Sequence, residues 1–410
     1  MIEQYLARNA EPEAQALHSG ATVPANVSGL ALQPLHASHA WQGCLVIPVF
    51  DECFATLQRQ ITALADTNTL ILLVVNAPQG GDPDAIERTL GLLSKLRTSD
   101  FAQVILVDKA SPERQLSPKQ GVGMARKIGC DLALTLIHIG RVRSPWILQS
   151  DADVEFPEGY TQLFYDNPER SASGAKIYPH THVSEEPTLH FAAQLYDQHM
   201  NYYVAGLQLA GSRYGHHSLG STIAVHATSY AAVRGYPKRP AGEDFYLLNK
   251  IRKVAGVERL AEPILKIEAR LSTRVPFGTG QALRDIVGHL AQDPSGNSYR
   301  SYHPECFITL GKALQEFEHW AANPAADFSA AVSEHLANIG FARFAKSIGK
   351  QNPSSARRLQ GVHDWFDGLK TLQFIHSCQR HYADQPLLQT LANIDPVFRD
   401  KVFEFQTNTD

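Results

Sequence analysis

Four apolar runs alternate along the first half of the chain with segments in which apolar residues recur every three or four positions. The runs lie within residues 44–50, 70–76, 103–108 and 145–151. Continuous runs of this length are typical of strands buried on both faces, as in a parallel sheet, whereas the recurring spacing predicts helices. We therefore expect right-handed β-α-β units and an open, mainly parallel α/β sheet flanked by helices.

The helix before the fourth run has a sequence signal for its start. Ser117 can cap this helix and Pro118 suits its first position. Gly121 and Gly123 then fall within its first turns, although glycine costs about 1 kcal/mol relative to alanine inside a helix. Two explanations stay open: close packing of the helix on a strand, or close approach of the backbone to a ligand.

A polar side chain follows each of the four apolar runs. These side chains are Asp51, Asn76, Asp108, Asp151 and Asp153. Any one of them could be an ordinary turn or capping residue. Ligands bind beyond the carboxyl ends of the strands in open α/β sheets, however, and two carboxylates there can hold a divalent cation against a diphosphate. The recurrence at all four strand ends favours a ligand site.

The second half of the chain has a different pattern. A short strand near residues 173–179 precedes a long helical stretch from Pro187 to Leu209, and the chain looks all-helical from about Ser301. Two helical stripes support this reading: Phe307, Leu310, Leu314, Phe317 and Trp320 in one, Val362, Trp365, Leu369 and Leu372 in the other. We predict an N-terminal extension over 1–40, an α/β domain over 41–292 and a helical region over 293–410.

Composition excludes several classes of protein. The 410 residues are 44% hydrophobic with a net charge of −4, which suits a folded protein and offers no basic field for nucleic acid. The longest apolar runs, such as 70–75, are far shorter than the roughly 20 residues of a membrane span, and no signal peptide is recognisable. The five cysteines are scattered without a C-x-x-C pair, so we expect a reducing, cytoplasmic location.

Four motifs in order resemble the nucleotide-sugar glycosyltransferases of the GT-A fold, especially family 2. They are VIPVFDE (46–52), GVGMARKIG (121–129), DAD (151–153) and GEDFYLLNKI (242–251). The likeness runs from about Gly43 to about Gln281, so the resemblance makes 41–292 a GT-A domain. The family more often has asparagine at the positions of Asp51 and Lys127.

The resemblance implies a role for each matched acidic residue. Asp153 would bind a Mn²⁺ or Mg²⁺ ion, and Asp151 would support this metal or contact the ribose. Asp244 would take the proton from the acceptor hydroxyl, while Glu243 would hold the acceptor or orient the base. Simple favourable charge at a helix N-terminus is the alternative explanation for this Glu-Asp pair.

The resemblance also implies the positions that contact the nucleotide-sugar donor. They are Pro48, Val49, Phe50, Glu52, Gly121, Arg126, Lys127 and Asp151, with an ordinary pair on a helix surface as the alternative for Arg126 and Lys127. The composition of residues 268–282 suits a loop in which Arg274 clamps the diphosphate, and an ordinary surface loop is the alternative there. The base-contacting aspartate of the family is replaced by Asn76, or else its role shifts to Asp108. An asparagine carbonyl can accept the same hydrogen bond without carrying charge.

The implied function is transfer of a hexosyl group from a nucleoside diphosphate sugar to an acceptor hydroxyl, with inversion. The acceptor would be a carbohydrate or another small hydroxyl compound, soluble or presented by a membrane to which the protein docks peripherally, and self-association stays open. One alternative is a sugar nucleotidyltransferase, but residues 48–57 lack the Gly-rich, Arg-containing loop that such enzymes need after the first strand. The other is a non-catalytic nucleotide-sugar binding or scaffold protein.

Overall fold

The computed structural model describes residues 1–20, 30–31, 40–166, 173–272, 278–351 and 353–405. The chain forms two compact units. The first comprises Met1–Val183, Ser218–Glu268 and Thr273–Gly278; the second comprises Ser184–His217, Ala269–Ser272 and Thr279–Asp410.

The strands of the described residues are short and most belong to the first unit. Their bounds are β1 Leu30–Ala31, β2 Gly43–Val49, β3 Thr69–Asn76, β4 Val104–Lys109, β5 Trp146–Gln149, β6 Val154–Glu155, β7 Ser173–Ile177, β8 His180–Val183, β9 Ile223–His226, β10 Gly256–Arg259, β11 Leu265–Glu268, β12 Arg300–Ser301 and β13 Gln385–Pro386.

The helices flank the main sheet of the first unit and build most of the second unit. Their bounds are α1 Ile2–Arg8, α2 Pro12–Ser19, α3 Phe54–Ala63, α4 Pro83–Thr98, α5 Gly121–His138, α6 Gln162–Asp166, α7 Pro187–Leu209, α8 Ala227–Ala232, α9 Glu243–Arg252, α10 Thr279–Leu290, α11 Pro304–Ala322, α12 Ala330–Asn338, α13 Phe341–Gly349, α14 Ser355–Trp365, α15 Gly368–Cys378, α16 Leu387–Asn393 and α17 Pro396–Phe403.

The main sheet has the strand order β1-β4-β3-β2-β5-β9-β7-β10. The four predicted strands β2, β3, β4 and β5 pair in parallel, with Cys44 opposite both Leu70 and Ile147. β9 was not predicted and runs antiparallel between β5 and β7. The predicted α/β fold, with its mainly parallel sheet, flanking helices and C-terminal helices, is confirmed.

Alternate residues of the central strands face two separate apolar clusters. On β2, Val46 packs into the cluster that includes α5, while Leu45 and Ile47 pack into the cluster that includes α3 and α4. All three side chains are fully buried. The continuous apolar runs of the sequence therefore reflect a sheet covered on both faces, as expected for parallel strands.

Helix α5 begins later than the sequence predicts. The chain from Ser117 to Gln120 forms a turn, in which the Gln120 N–H donates to the Ser117 carbonyl at 2.8 Å. The helix begins at Gly121, whose φ of 48° is in the left-handed region. The turn replaces the predicted first helical residues because the chain changes direction at this glycine.

The N-terminal residues are part of the first unit. Helices α1 and α2 pack on α5, and Tyr5 and Leu6 are buried in the same cluster as the sheet residues. The structure thus buries part of residues 1–20 in this core, whereas the sequence predicted an extension laid over a domain surface.

The second unit also begins earlier than the predicted boundary at residue 293. Helices α7 and α10 belong to it. Tyr202 and Leu207 of α7 are buried in one cluster with Phe307 and Phe317 of α11. The apolar face of α7 is buried by these aromatic side chains, so α7 belongs to the same unit as helices that begin about a hundred residues later. The stripe predicted from Val362 spans two helices, α14 and α15, separated at Phe366 and Asp367.

Among the residues that the structure describes, no helix combines the length and the apolar character needed to cross a bilayer.

Substituting Phe307 should test the assignment of α7 to the helical unit. The Phe307 ring is 3% exposed and lies 5.5 Å from the Tyr202 ring of α7 and 5.8 Å from the Phe398 ring of α17. We expect Phe307→Ala to lower the free energy of unfolding by about 3–5 kcal/mol in urea titrations followed by circular dichroism. The neighbour Ile308 is 49% exposed, so Ile308→Ala should change stability by less than about 0.5 kcal/mol. Equal costs for the two variants would contradict the packing.

Candidate active site

Acidic side chains from two separate parts of the chain meet in the first unit. Strand β5 ends at Gln149, and Asp151 and Asp153 follow it at the carboxyl edge of the sheet. Glu243 and Asp244 open helix α9, directly after Gly242, whose φ is 68°. A left-handed residue lets the chain turn sharply into the helix, which places both carboxylates in its first turn.

Arg126 joins these two groups of carboxylates. Its Nη2 donates to Asp151 Oδ1 at 2.6 Å, and its Nε donates to Glu243 Oε1 at 3.0 Å. The Arg126 side chain is only 3% exposed, whereas Asp151 is 36% exposed. A buried guanidinium from α5 therefore connects the strand-end motif to the helix-start motif.

Two backbone carbonyls complete the coordination of Arg126. Nη1 donates to the Gly220 carbonyl at 3.2 Å and to the Ser150 carbonyl at 3.4 Å. A methyl group at position 220 would overlap the guanidinium, so this position requires glycine. The guanidinium therefore lies between two segments that are far apart in the sequence: Ser150 at the end of β5 and Gly220 before β9.

The carboxylates around Arg126 repel one another. Burial raises the pKa of Glu243, although Arg126 partly opposes this shift. Burial and the neighbouring Glu243 raise the pKa of Asp244 to about 7, and the charge of Asp151 adds to the increase. Burial opposes ionisation of Arg126, but Asp151 and the other nearby acidic groups hold its pKa above the ordinary value. Three carboxylates share one cation, so the cluster carries excess negative charge when it is fully ionised.

The predicted metal ligands suit a hard divalent cation. Asp151 and Asp153 offer carboxylate oxygens, which Mn²⁺ and Mg²⁺ prefer, and both side chains are partly exposed. One oxygen of Asp151 is bonded to Arg126. The excess negative charge beside Asp151 and the partial exposure of the Asp151 side chain fit the predicted cation, whereas Oδ1 of Asp153 is buried.

Gly121 and Gly123 allow close approach between α5 and the segment before α9. A methyl group at Gly123 would lie 2.5 Å from the Arg239 carbonyl oxygen, and one at Gly121 would lie 2.6 Å from Pro240 Cα. These glycines therefore pack against a loop of this chain, whereas the sequence suggested packing on a strand or contact with a ligand.

The predicted donor-contacting residues of β2 lie at the same edge of the sheet as Asp151. Pro48 and Val49 are buried at the end of β2, and Phe50 and Glu52 follow it with partly exposed side chains. Asn76 ends the adjacent β3 and donates from Nδ2 to the Val49 carbonyl at 3.1 Å. These residues are brought together, as predicted from the strand ends.

Asp51 is linked to helix α4 rather than to the carboxylate cluster. Its φ of 54° is in the left-handed region, which aspartate and asparagine tolerate better than most residues. Arg88 donates to both carboxylate oxygens, at 2.6 and 2.9 Å. This pair fixes the turn that follows β2.

Asp108 is fully buried and its two oxygens are engaged by the protein. Oδ1 accepts from the backbone N–H groups of Ala110 and Ser111, and Oδ2 accepts from Ser111, Arg97 and Arg114. Burial acts to raise the Asp108 pKa, but these hydrogen bonds lower it overall. Asp108 braces the turn after β4, and of the two candidates for contacting a base only Asn76 lies beside β2.

Lys127 lies away from the carboxylate cluster, beneath the N-terminal helices. Its ammonium donates to Asp131 at 2.8 Å, to the Tyr5 hydroxyl at 2.8 Å and to the Asn9 carbonyl at 3.1 Å. The side chain is 4% exposed. These bonds occupy the ammonium, so we do not include Lys127 in the donor site proposed below. The predicted Arg274 lies outside the described residues.

Sequence reasoning missed Gly220, Ser150 and Tyr236 as parts of the site. The first two contribute backbone carbonyls, which leave no residue-type signal. Tyr236 is buried and donates its hydroxyl to Gln149 Oε1 at the end of β5. The only available signal was the position of Tyr236 seven residues before Glu243.

No family model and no curated protein matches this chain. Among solved structures, the chain is similar to S. aureus TarS 1-349, with 11% identity over 83% of this chain and 91% of that one, at a TM-score of 0.38. It is also similar to the mannosyltransferase PcManGT from Pyrobaculum calidifontis in complex with GDP-Man and Mn²⁺, with 11% identity, 99% and 98% coverage and a TM-score of 0.34. With TM-scores this low, we base no conclusion about this chain on either likeness.

Proposed function

We propose that this chain is a metal-dependent glycosyltransferase of the GT-A type, similar to family 2, which moves a hexosyl group from a nucleoside diphosphate sugar to an acceptor hydroxyl with inversion. The observation that carries the proposal is the buried Arg126, which links Asp151 of the Asp-x-Asp motif to Glu243 of the Glu-Asp pair. Sugar transfer needs a diphosphate-neutralising group and a proton acceptor close together, and this link supports both roles.

The donor would lie across the carboxyl ends of β2, β3 and β5. Residues from Pro48 to Glu52 would line the nucleoside, and Asn76 would accept a hydrogen bond from its base. Asp153 and Asp151 would hold Mn²⁺ or Mg²⁺, which supplies Lewis acidity at the leaving diphosphate. Arg126 is buried and bonded to protein oxygens, so we assign it a positioning role through Asp151 and Glu243.

Asp244 would act as the general base. The pKa of this group is raised to about 7, so it can accept a proton near neutral pH and still be ionised before the reaction. Glu243 would fix the orientation of the acceptor or of Asp244. The raised pKa of Asp244 lies in the range that a general base needs. This supports an enzyme rather than a non-catalytic nucleotide-sugar binding protein.

Binding of the donor should depend on the metal. A thermal-shift screen of UDP-, GDP-, ADP-, CDP- and dTDP-sugars with Mn²⁺ would select the donor, and ligand at about 100 times its dissociation constant should stabilise the fold by about 2.7 kcal/mol. Calorimetry should then show tighter binding with Mn²⁺ than with chelator. Asp153→Ala should abolish this difference.

The matched control for this experiment is Glu158→Gln, which removes an exposed carboxylate five residues after Asp153. It should keep the full effect of Mn²⁺. Equal donor affinity with Mn²⁺ and with chelator in the parent protein would contradict the metal role of the Asp-x-Asp motif.

Replacing the proposed base should separate catalysis from binding. Asp244→Asn keeps the shape of the side chain but removes proton acceptance, so transfer to the true acceptor should fall roughly 10²- to 10⁴-fold. The donor dissociation constant should stay within about twofold, because Asp151 and Asp153 are unchanged. In the parent, kcat/KM should rise as the pH increases through about 7, since the raised pKa of Asp244 keeps the base protonated below that pH.

Asp84→Asn is the control for a simple helix-end charge, because Asp84 is exposed in the first turn of α4. This variant should transfer sugar at the parent rate. Transfer by Asp244→Asn within roughly tenfold of the parent, about 1.4 kcal/mol of barrier, would remove Asp244 from the catalytic role and leave Glu243 as the next candidate.

A further inference from the structure

The segment that delivers Glu243 and Asp244 to the site is a loop with little secondary structure of its own. This 234–242 loop runs from the end of α8 to the start of α9. Arg234, Gly235 and Gly242 all have positive φ, with values of 61°, 64° and 68°. The loop therefore bends sharply at both ends, and its position depends on what it packs against.

One side of the loop is held by α5. The close approaches of Gly121 to Pro240 and of Gly123 to the Arg239 carbonyl fix its middle against the first turn of that helix. At its start, the Tyr236 hydroxyl bonds to Gln149 at the end of β5. These contacts hold one face of the loop, and they do not involve the side chain of Lys238.

The other side of the loop is held by the N-terminal helices. Lys238 Nζ lies 2.8 Å from Glu11 Oε1, and the Glu11 side chain is 6% exposed. At the start of the loop, a methyl group on Gly235 would overlap the hydroxyl of Tyr5 from α1. Two N-terminal residues therefore contact the loop at two different points.

Glu11 is itself fixed to the core. Its backbone N–H donates to Asp131 Oδ2 at 2.8 Å, and Asp131 also accepts from Tyr5, Tyr230 and Lys127. Lys127 Nζ lies 3.6 Å from Glu11 Oε1. The two buried acids Glu11 and Asp131 are thus balanced by Lys127 and Lys238. Removing Lys238 would leave a buried carboxylate with only the more distant lysine, which is costly.

We infer that Glu11 and Lys238 are positioning residues that clamp the 234–242 loop and so hold Asp244 in register with Asp151 and Arg126. The inference rests on the proposed base role of Asp244. In this account, residues 1–20 are a required part of the active site although none of them contacts the proposed donor. Displacement of a catalytic group by about 1 Å can cost roughly a hundredfold in rate.

Lys238→Met is the main test, because it removes the ammonium, keeps the apolar stem and changes a half-exposed side chain that should not prevent folding. We expect kcat to fall roughly tenfold to a hundredfold while the donor dissociation constant stays within about twofold. Glu11→Gln should behave in the same way. Lys238→Arg keeps the charge and should restore most of the rate.

Glu13→Gln is the matched control. Glu13 lies in α2, two positions after Glu11, is 2% exposed and forms its ion pair with Lys109 of β4 rather than with the 234–242 loop. This variant loosens the same helix without breaking the clamp, so its kcat should stay within about threefold of the parent. A loss of rate in Glu13→Gln as large as in Lys238→Met would show a general stability effect and overturn the inference.

Hydrogen exchange measured by mass spectrometry gives a readout that does not need turnover. Backbone amides of residues 235–244 should exchange roughly tenfold faster in Lys238→Met than in Glu13→Gln. If the parent transfers no sugar, the proposed function fails while exchange still decides whether the clamp exists. Unchanged exchange in Lys238→Met, or faster exchange with an unchanged kcat, would overturn the positioning role.

Discussion

A single buried guanidinium determines the arrangement of the candidate site. Arg126 reaches from α5 to the end of β5, to Gly220 before β9 and to the start of α9, and it bonds to two carboxylates and two backbone carbonyls. A buried charge of this kind is tolerated only when its partners are in place. The arginine consequently requires a glycine at 220 and an acid at both 151 and 243. The same ion pairs leave the second oxygen of Asp151 unbonded to Arg126, while Asp244 accepts from the Phe245 backbone N–H through Oδ1 and forms no ion pair with Arg126.

The position of the site could be predicted from the sequence because it depends on local patterns. Continuous apolar runs identify strands buried on both faces, and their polar endings mark the ligand-binding edge of a parallel sheet. That reasoning placed Asn76, Asp151 and the residues after β2 at one edge, where the structure has them. The start of a helix at the Glu-Asp pair was also readable, since acidic residues favour a first turn.

The remaining features depend on contacts between distant residues, which a local pattern cannot reveal. Lys127 follows Arg126 directly, yet the two side chains leave α5 in different directions, one to the acidic cluster and one to the N-terminal helices. Glu11 and Asp131 are 120 positions apart, and nothing in the sequence of residues 1–20 marks a buried acid. The sequence does not distinguish Asp108 from the other strand-end aspartates, but in the structure two arginines and a serine donate to its carboxylate. The contacts of Lys127, Glu11 and Asp108 therefore depend on buried ion pairs, which form only when distant parts of the chain fold together.

We propose that a divalent cation and a diphosphate meet at Asp151 and Asp153, beside the acids that Arg126 contacts. Anomalous diffraction from crystals grown with Mn²⁺ and either UDP or GDP would locate both ligands. We expect a manganese peak bonded to Asp153, with diphosphate oxygens on the same ion and Asp244 on its open side. A manganese peak elsewhere, or a diphosphate bound away from the carboxyl ends of β2 and β5, would contradict it.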